Sequence, residues 1–113
     1  MDYYQQGDVL IKPFDFKDGS YLSDSVREGT TKEVKELVVA YGEASGHSHV
    51  IKGEKITQFI PKWHRDQIVF SIDEDSYIYH EEHGEILIPA GTYYIDTVRE
   101  YDHFAEESRY VRD

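Results

Sequence analysis

The sequence predicts an all-β domain, a small antiparallel sandwich or barrel with little helix. Three observations carry this. Short runs rich in β-branched and aromatic residues recur along the chain, turn residues punctuate them at close intervals, and almost no stretch spaces its apolar residues for a helix.

The runs follow in order. Residues 7–14, "GDVLIKPF", begin on Gly-Asp and turn apolar, and residues 33–42, "EVKELVVAYG", are rich in valine. Residues 49–51 and 55–60, "HVI" and "KITQFI", are divided by Lys52-Gly53-Glu54, whose glycine suits a tight hairpin. Residues 67–72, "QIVFSI", reach a polar corner at 73–75, and "SYIYH" follows at 76–80. Last come "EILIP" at 85–89 and "TYYIDTV" at 92–98, with Pro89-Ala90-Gly91 between them as a reversing turn. Helix has two candidate places: residues 23–34, "SDSVREGTTKEV", and residues 102–110, "DHFAEESRY", where Asp102 could cap a turn or two. Residues 15–32 mix Gly, Ser, Thr, Asp and Lys and read as a long loop, the kind that in a compact domain tends to be mobile or functional.

With 113 residues, one domain spanning 1–113 is expected, able to bury a core without disulfides. A hydrophobic content of 39% is too rich for a disordered chain. The absence of cysteine excludes a disulfide framework, a thiolate-held zinc or iron–sulfur cluster, and a thiol nucleophile. The opening residues lack a basic, apolar leader, and no window approaches the ~20 apolar residues of a membrane span. A soluble, cytoplasmic protein is the expectation.

The formal charge of -11 repels phosphate, so nucleic acid is a poor partner and a basic protein surface a better one. Two local exceptions pair basic with aromatic residues: Lys62, Trp63, His64 and Arg65, and the tail from Arg109 to Arg112. Trp63 reads either as a binding anchor on a hairpin tip or as a core ring. An edge strand at residues 7–14 could pair across a homodimer.

Four of the histidines fall in two short blocks, "GHSHV" and "HEEHG". Side chains two apart on a strand share a face, so His47 and His49 form a two-imidazole clamp, with the glycines of "GEASG" before it giving the backbone room to bend. His80 and His83 would sit on opposite faces of a strand, but as the ends of a β-turn they lie within about 7 Å. If folding joins the two pairs, His47, His49, His80 and His83, with Glu82 or Glu81 as a carboxylate, suit an open site for Zn, Fe, Mn or Ni. Such a site permits metal-assisted hydrolysis or oxygen chemistry. The competing reading is that these are polar turn residues at the surface, or a metal-free histidine that titrates near neutrality. No phosphate loop, nucleophile elbow or dinucleotide fingerprint is present.

Taken in order, "QGDVLI", "AYGEASGHSH", "HEEHGEILIPAGTY" and "VREY" resemble a family of small uncharacterised proteins from bacteria and mobile elements. The resemblance covers most of residues 6–113, outside the long loop and residues 55–79. It singles out Gly46, His47, His49, His80, Glu82, His83, Arg99, Glu100 and Tyr101, and implies no particular activity. A cupin is a fainter likeness, through "HSH" and "PAG"; the glutamate expected after the histidine pair would be Glu54, and the later histidine of that pattern is missing.

Two functions follow as expectations. In the first, an all-β metal- or ligand-binding protein uses the four histidines, with Glu82 as a further ligand or proton acceptor and Arg99 attracting an anionic group; catalysis is left open. In the second, a non-catalytic acidic protein of phage or viral origin engages a basic partner, and its histidines are incidental.

Overall fold

A computed structural model describes residues 3–7, 9–17, 19–41, 48–63, 67–81, 83–97, 100–102 and 107–109. The strands are β1 (Tyr4–Gln6), β2 (Val9–Pro13), β3 (Thr30–Tyr41), β4 (Ser48–Ile60), β5 (Val69–Ile72), β6 (Ser76–Tyr79), β7 (Ile86–Ile88), β8 (Gly91–Thr97), β9 (Glu100–Asp102) and β10 (Glu107–Arg109), with one helix, α1 (Tyr21–Arg27), before β3. The fold is all-β, as expected.

The strands of the main sheet lie in the order β1-β2-β8-β5-β4-β6-β7, all neighbours antiparallel, and β3 flanks β4. β4 organises the molecule. One of its edges pairs with β3 along nearly its whole length, while the other is shared by β5, opposite Ile56–Phe59, and β6, opposite Val50 and Ile51. Directly opposed residues face the same side of a sheet, so apolar positions in register gather into rows. Leu37, Ile51 and Ile78 form one such row, all buried, and Ile56 and Ile72 another. With Val9, Ile11, Phe70, Tyr93 and Ile95 they fill the interior of a sheet that is nearly closed into a barrel.

Gln6, at the end of the edge strand β1, spans much of the remaining gap. Its amide Nε2 donates to the carbonyls of Ile78, at 2.9 Å, and Gly84, at 2.6 Å.

Four local expectations change. No hairpin forms at Lys52-Gly53-Glu54, because β4 runs straight through. Its pairing with β3 instead shifts between Val34 and Glu36, which leaves residues 53–55 opposite Lys35. The long loop holds α1, started by Ser20, whose side chain accepts from Ser23 N at 3.1 Å, and it ends at Thr30, where β3 begins; residues 30–34, expected in a helix, are strand. Pro89-Ala90-Gly91 does not close a hairpin, since β7 pairs with β6 whereas β8 pairs with β2 and β5; the chain crosses between regions of the sheet there. Residues 107–109, expected to be helical, form β10 against β9. At residues 52–54, 30–34 and 89–91 long-range pairing overrode a local signal.

β2 is also not the free edge foreseen for a dimer, because β1 and β8 pair with both its sides. Trp63 is half-buried and packs its ring, tilted, against that of Tyr21 of α1 with 5.5 Å between centroids, while its backbone N–H donates to the Ser25 hydroxyl at 2.9 Å, so it anchors the helix to the end of β4. His64 and Arg65 lie outside the described residues. Among the described residues no helix is long and apolar enough to cross a membrane.

Candidate functional site

His49 lies two residues before Ile51, so on β4 it points into the barrel, and it is fully buried. His80 continues the inward row of Ser76 and Ile78 on β6, and it is 6% exposed. The register Ile51↔Ile78, Val50↔Tyr79, carried one residue further, sets His49 opposite His80. Their rings stack at 4.2 Å between centroids.

The segment 80–84 then turns back. Gly84 N donates to His80 O at 2.9 Å, and Gly84 takes φ +73°, a conformation that glycine adopts at little cost. This turn brings His83 within 4.7 Å of His80 and 6.3 Å of His49. Three of the four histidines singled out by the sequence therefore converge. His47, Glu82 and Arg99 lie outside the described residues, as do the side chains of Glu100 and Tyr101.

Hydrogen bonds settle two tautomers. Gln6 Nε2 faces two carbonyls, which can only accept, so Gln6 Oε1 is the atom 2.8 Å from His49 Nδ1. His49 Nδ1 must donate, and in the neutral ring the lone pair is on Nε2. His80 is the reverse: its Nδ1 accepts from His83 N–H at 3.2 Å, which places the proton of the neutral ring on Nε2.

Metal ligands donate in-plane lone pairs that converge on one point, whereas stacked rings present π faces to each other. Among the described residues no group of three or more His, Cys, Asp or Glu is arranged to hold a metal ion.

Beside the cluster, on the outer face of the sheet, lies an open groove of about 650 Å³. The alternation that buries His49 and Ile51 turns Ser48, Val50 and Lys52 outward to line it, joined by Glu36 from β3, Tyr79 from β6, and His80, Glu81, Gly84 and Glu85 from the turn. Lys52 Nζ stands 5.7 Å from the centre of the Tyr79 ring. Among the described residues the lining thus holds three carboxylates and one ammonium, and His80 belongs to both groove and cluster. Tyr77, exposed and 6.2 Å from Tyr79, lies opposite exposed Leu87 and extends the apolar surface along β6 and β7.

Reasoning from sequence missed Gln6, Glu36, Lys52 and Tyr79. For Tyr79 a signal existed, since "SYIYH" alternates and puts both tyrosines on the face away from Ile78. Nothing local marks Gln6.

These features define a small all-β domain, an antiparallel sheet nearly closed into a barrel with a histidine cluster and a groove beside it. The sequence model of a domain of unknown function, DUF8820, matches residues 5–97, and the chain belongs to that family. No curated protein and no solved structure matches it.

Proposed function

We propose that this protein is a ligand-binding β domain that takes a positively charged ligand in the groove between the outer face of β4 and β6 and the turn at 80–84. The observation that carries this reading is the lining: among the described residues Glu36, Glu81 and Glu85 stand against one cation, Lys52, with the Tyr79 ring as a wall and His80 at the boundary with the core. Carboxylates and an aromatic face together suit an ammonium or guanidinium group. The net charge of -11 draws cations toward the whole surface and so supports the same sign of ligand, including a basic side chain of a protein partner.

The test is an NMR titration with alkylammonium and guanidinium probes. Resonances of Lys52, Tyr79 and His80 should shift, and Glu81→Gln with Glu85→Gln should weaken binding. Equal shifts from a neutral or an anionic probe would refute it.

A second reading, a divalent transition metal at the histidine cluster, is favoured by the lock that Gln6 places on His49. An imidazole whose Nδ1–H is held by an oxygen is the arrangement of many metal-ligating histidines. His83 would join it, with His47 and Glu82 as further donors, and His80 would have to give up its bond from His83 N to ligate through Nδ1. Untagged protein should then melt higher with Zn²⁺, Mn²⁺ or Ni²⁺, and His83→Ala should abolish that shift while sparing the response to guanidinium.

A further inference from the structure

We propose that the face carrying the groove docks an extended segment of a protein partner, in which a basic side chain enters between Tyr79 and the glutamates while an apolar side chain two residues away settles on Tyr77 and Leu87. This inference rests on the ligand reading above and names the partner class for that site.

Strand register lays out the face. Tyr77 and Tyr79 both point outward from β6, because Ile78 between them is buried. Tyr77 is paired with Leu87, and the same register carried one residue past Ile78↔Ile86 sets Glu85 beside Tyr79. One end of the face is therefore aromatic and acidic, with Glu81 in the adjoining turn, and the other is aromatic and aliphatic. Lys52 Nζ stands 5.7 Å from the centre of the Tyr79 ring, so a cation against this ring is a contact that the molecule itself makes.

Elsewhere the chain covers its outer face with its own residues. Phe59, Val69 and Tyr94 lie in one outer row, and Phe14 and Phe16 pack edge-on against it, leaving Val69 fully buried. Tyr77, Tyr79 and Leu87 instead keep 43%, 39% and 48% of their surface exposed. Contiguous apolar side chains left open and rimmed by charge mark a surface that a partner covers, and the glutamates set that partner's sign.

Spacing sets its form. The Tyr77 and Tyr79 rings are 6.2 Å apart, and alternate side chains of an extended chain repeat at about 6.7 Å. A basic residue over Tyr79 thus brings the residue two positions along over Tyr77 and Leu87, whereas its immediate neighbour points away.

The experiment is an NMR titration with two acetylated, amidated pentapeptides of identical composition and charge, Arg-Thr-Leu-Thr-Arg and Arg-Leu-Thr-Thr-Arg. Only the first sets leucine two residues from an arginine, whichever way the segment runs. It should bind about tenfold more tightly and shift Tyr77 and Leu87 together with Tyr79. Leu87→Thr, which keeps a β-forming residue at this exposed position, should bring the ratio of affinities close to unity. Glu81→Gln with Glu85→Gln should weaken both peptides and preserve the ratio. Equal affinities, or the preference for the second peptide that a helical segment would give, overturn this inference even where free guanidinium binds and the ligand reading stands. Shifts at Tyr77 and Leu87 on diluting the protein alone would assign the face to a second copy of the chain and overturn it as well.

Discussion

Gln6 Oε1 accepts a hydrogen bond from His49 Nδ1 across 2.8 Å, joining the edge strand β1 to β4 inside the barrel. The same side chain donates to Ile78 O and Gly84 O, so one buried amide holds β1, β4, β6 and the turn of the candidate site in fixed relation. A buried polar group with all its partners stabilises modestly; the larger effect is the penalty on those partners when it is removed.

Gln6→Leu, close in size but without polar atoms, strands two carbonyls and the His49 Nδ1–H. Urea denaturation should report a loss of about 3 kcal/mol, each abandoned group contributing on the order of 1 kcal/mol. Gln6→Glu should also destabilise at neutral pH, because a carboxylate cannot donate to Ile78 O and Gly84 O. A variant as stable as wild type would remove the role assigned to this side chain.

The three clustered histidines differ in depth, and their alanine variants should separate accordingly. His49→Ala empties a fully buried position, forfeits the ring stacked on His80 and leaves Gln6 Oε1 without its donor, a loss of about 2–4 kcal/mol. His83 is exposed, and His83→Ala should change stability by no more than about 0.5 kcal/mol. Thermal melts of the pair decide this, and the same two proteins serve the metal titration.

Stability should fall in alkaline solution, through Tyr93 and Lys12. Burial pushes the Tyr93 phenol above its usual value near 10, helped by Tyr4 and Asp75, and its hydroxyl donates to Pro89 O at 2.7 Å. Lys12 is raised from 10.5, first by its hydrogen bond to Asp96. Both groups hold their protons more tightly when folded than when unfolded, so the native state binds more protons once the unfolded chain begins to lose them. Their contribution is complete below about pH 10 and declines as pH rises through the folded values. Tyr93→Phe should flatten this decline, measured by urea midpoints across that range. Lys12→Met should alter it less, because the Lys12–Asp96 pair is largely solvated.

Two glycines should respond differently to alanine. At Gly29, between α1 and β3, a methyl group would overlap the backbone carbonyl of Ile60, which no rotamer change can relieve. Gly29→Ala should therefore lose about 3 kcal/mol or fail to fold. Gly84 has open space around its Cβ position but takes φ +73°, so Gly84→Ala should lose only about 1–2 kcal/mol, from backbone strain. Calorimetry on both separates steric overlap from conformational strain.

Much of the strand content was legible because alternation is local: residues 76–80 announce an inner row of Ser76, Ile78 and His80 by sequence alone. The same rule, applied to 48–52, puts His49 inside with Ile51. The turn joining His80 to His83 was legible too, from its length and its glycine. What alternation cannot supply is register. That His49 lies against His80 follows from the pairing of Ile51 with Ile78, a contact between segments whose spacing along the chain carries no record of it.

The amino-acid order by itself determined an acidic, cysteine-free β domain and the inward direction of His49 and His80. Tertiary structure alone decided that β4 would run through Gly53 without turning, that Gln6 would reach across from the first strand, and that the imidazoles would stack instead of converging on a point. The physical reason is that pleating and turns are set by neighbours along the chain, whereas pairing partners are chosen by burial of the whole apolar surface, a quantity no short segment contains.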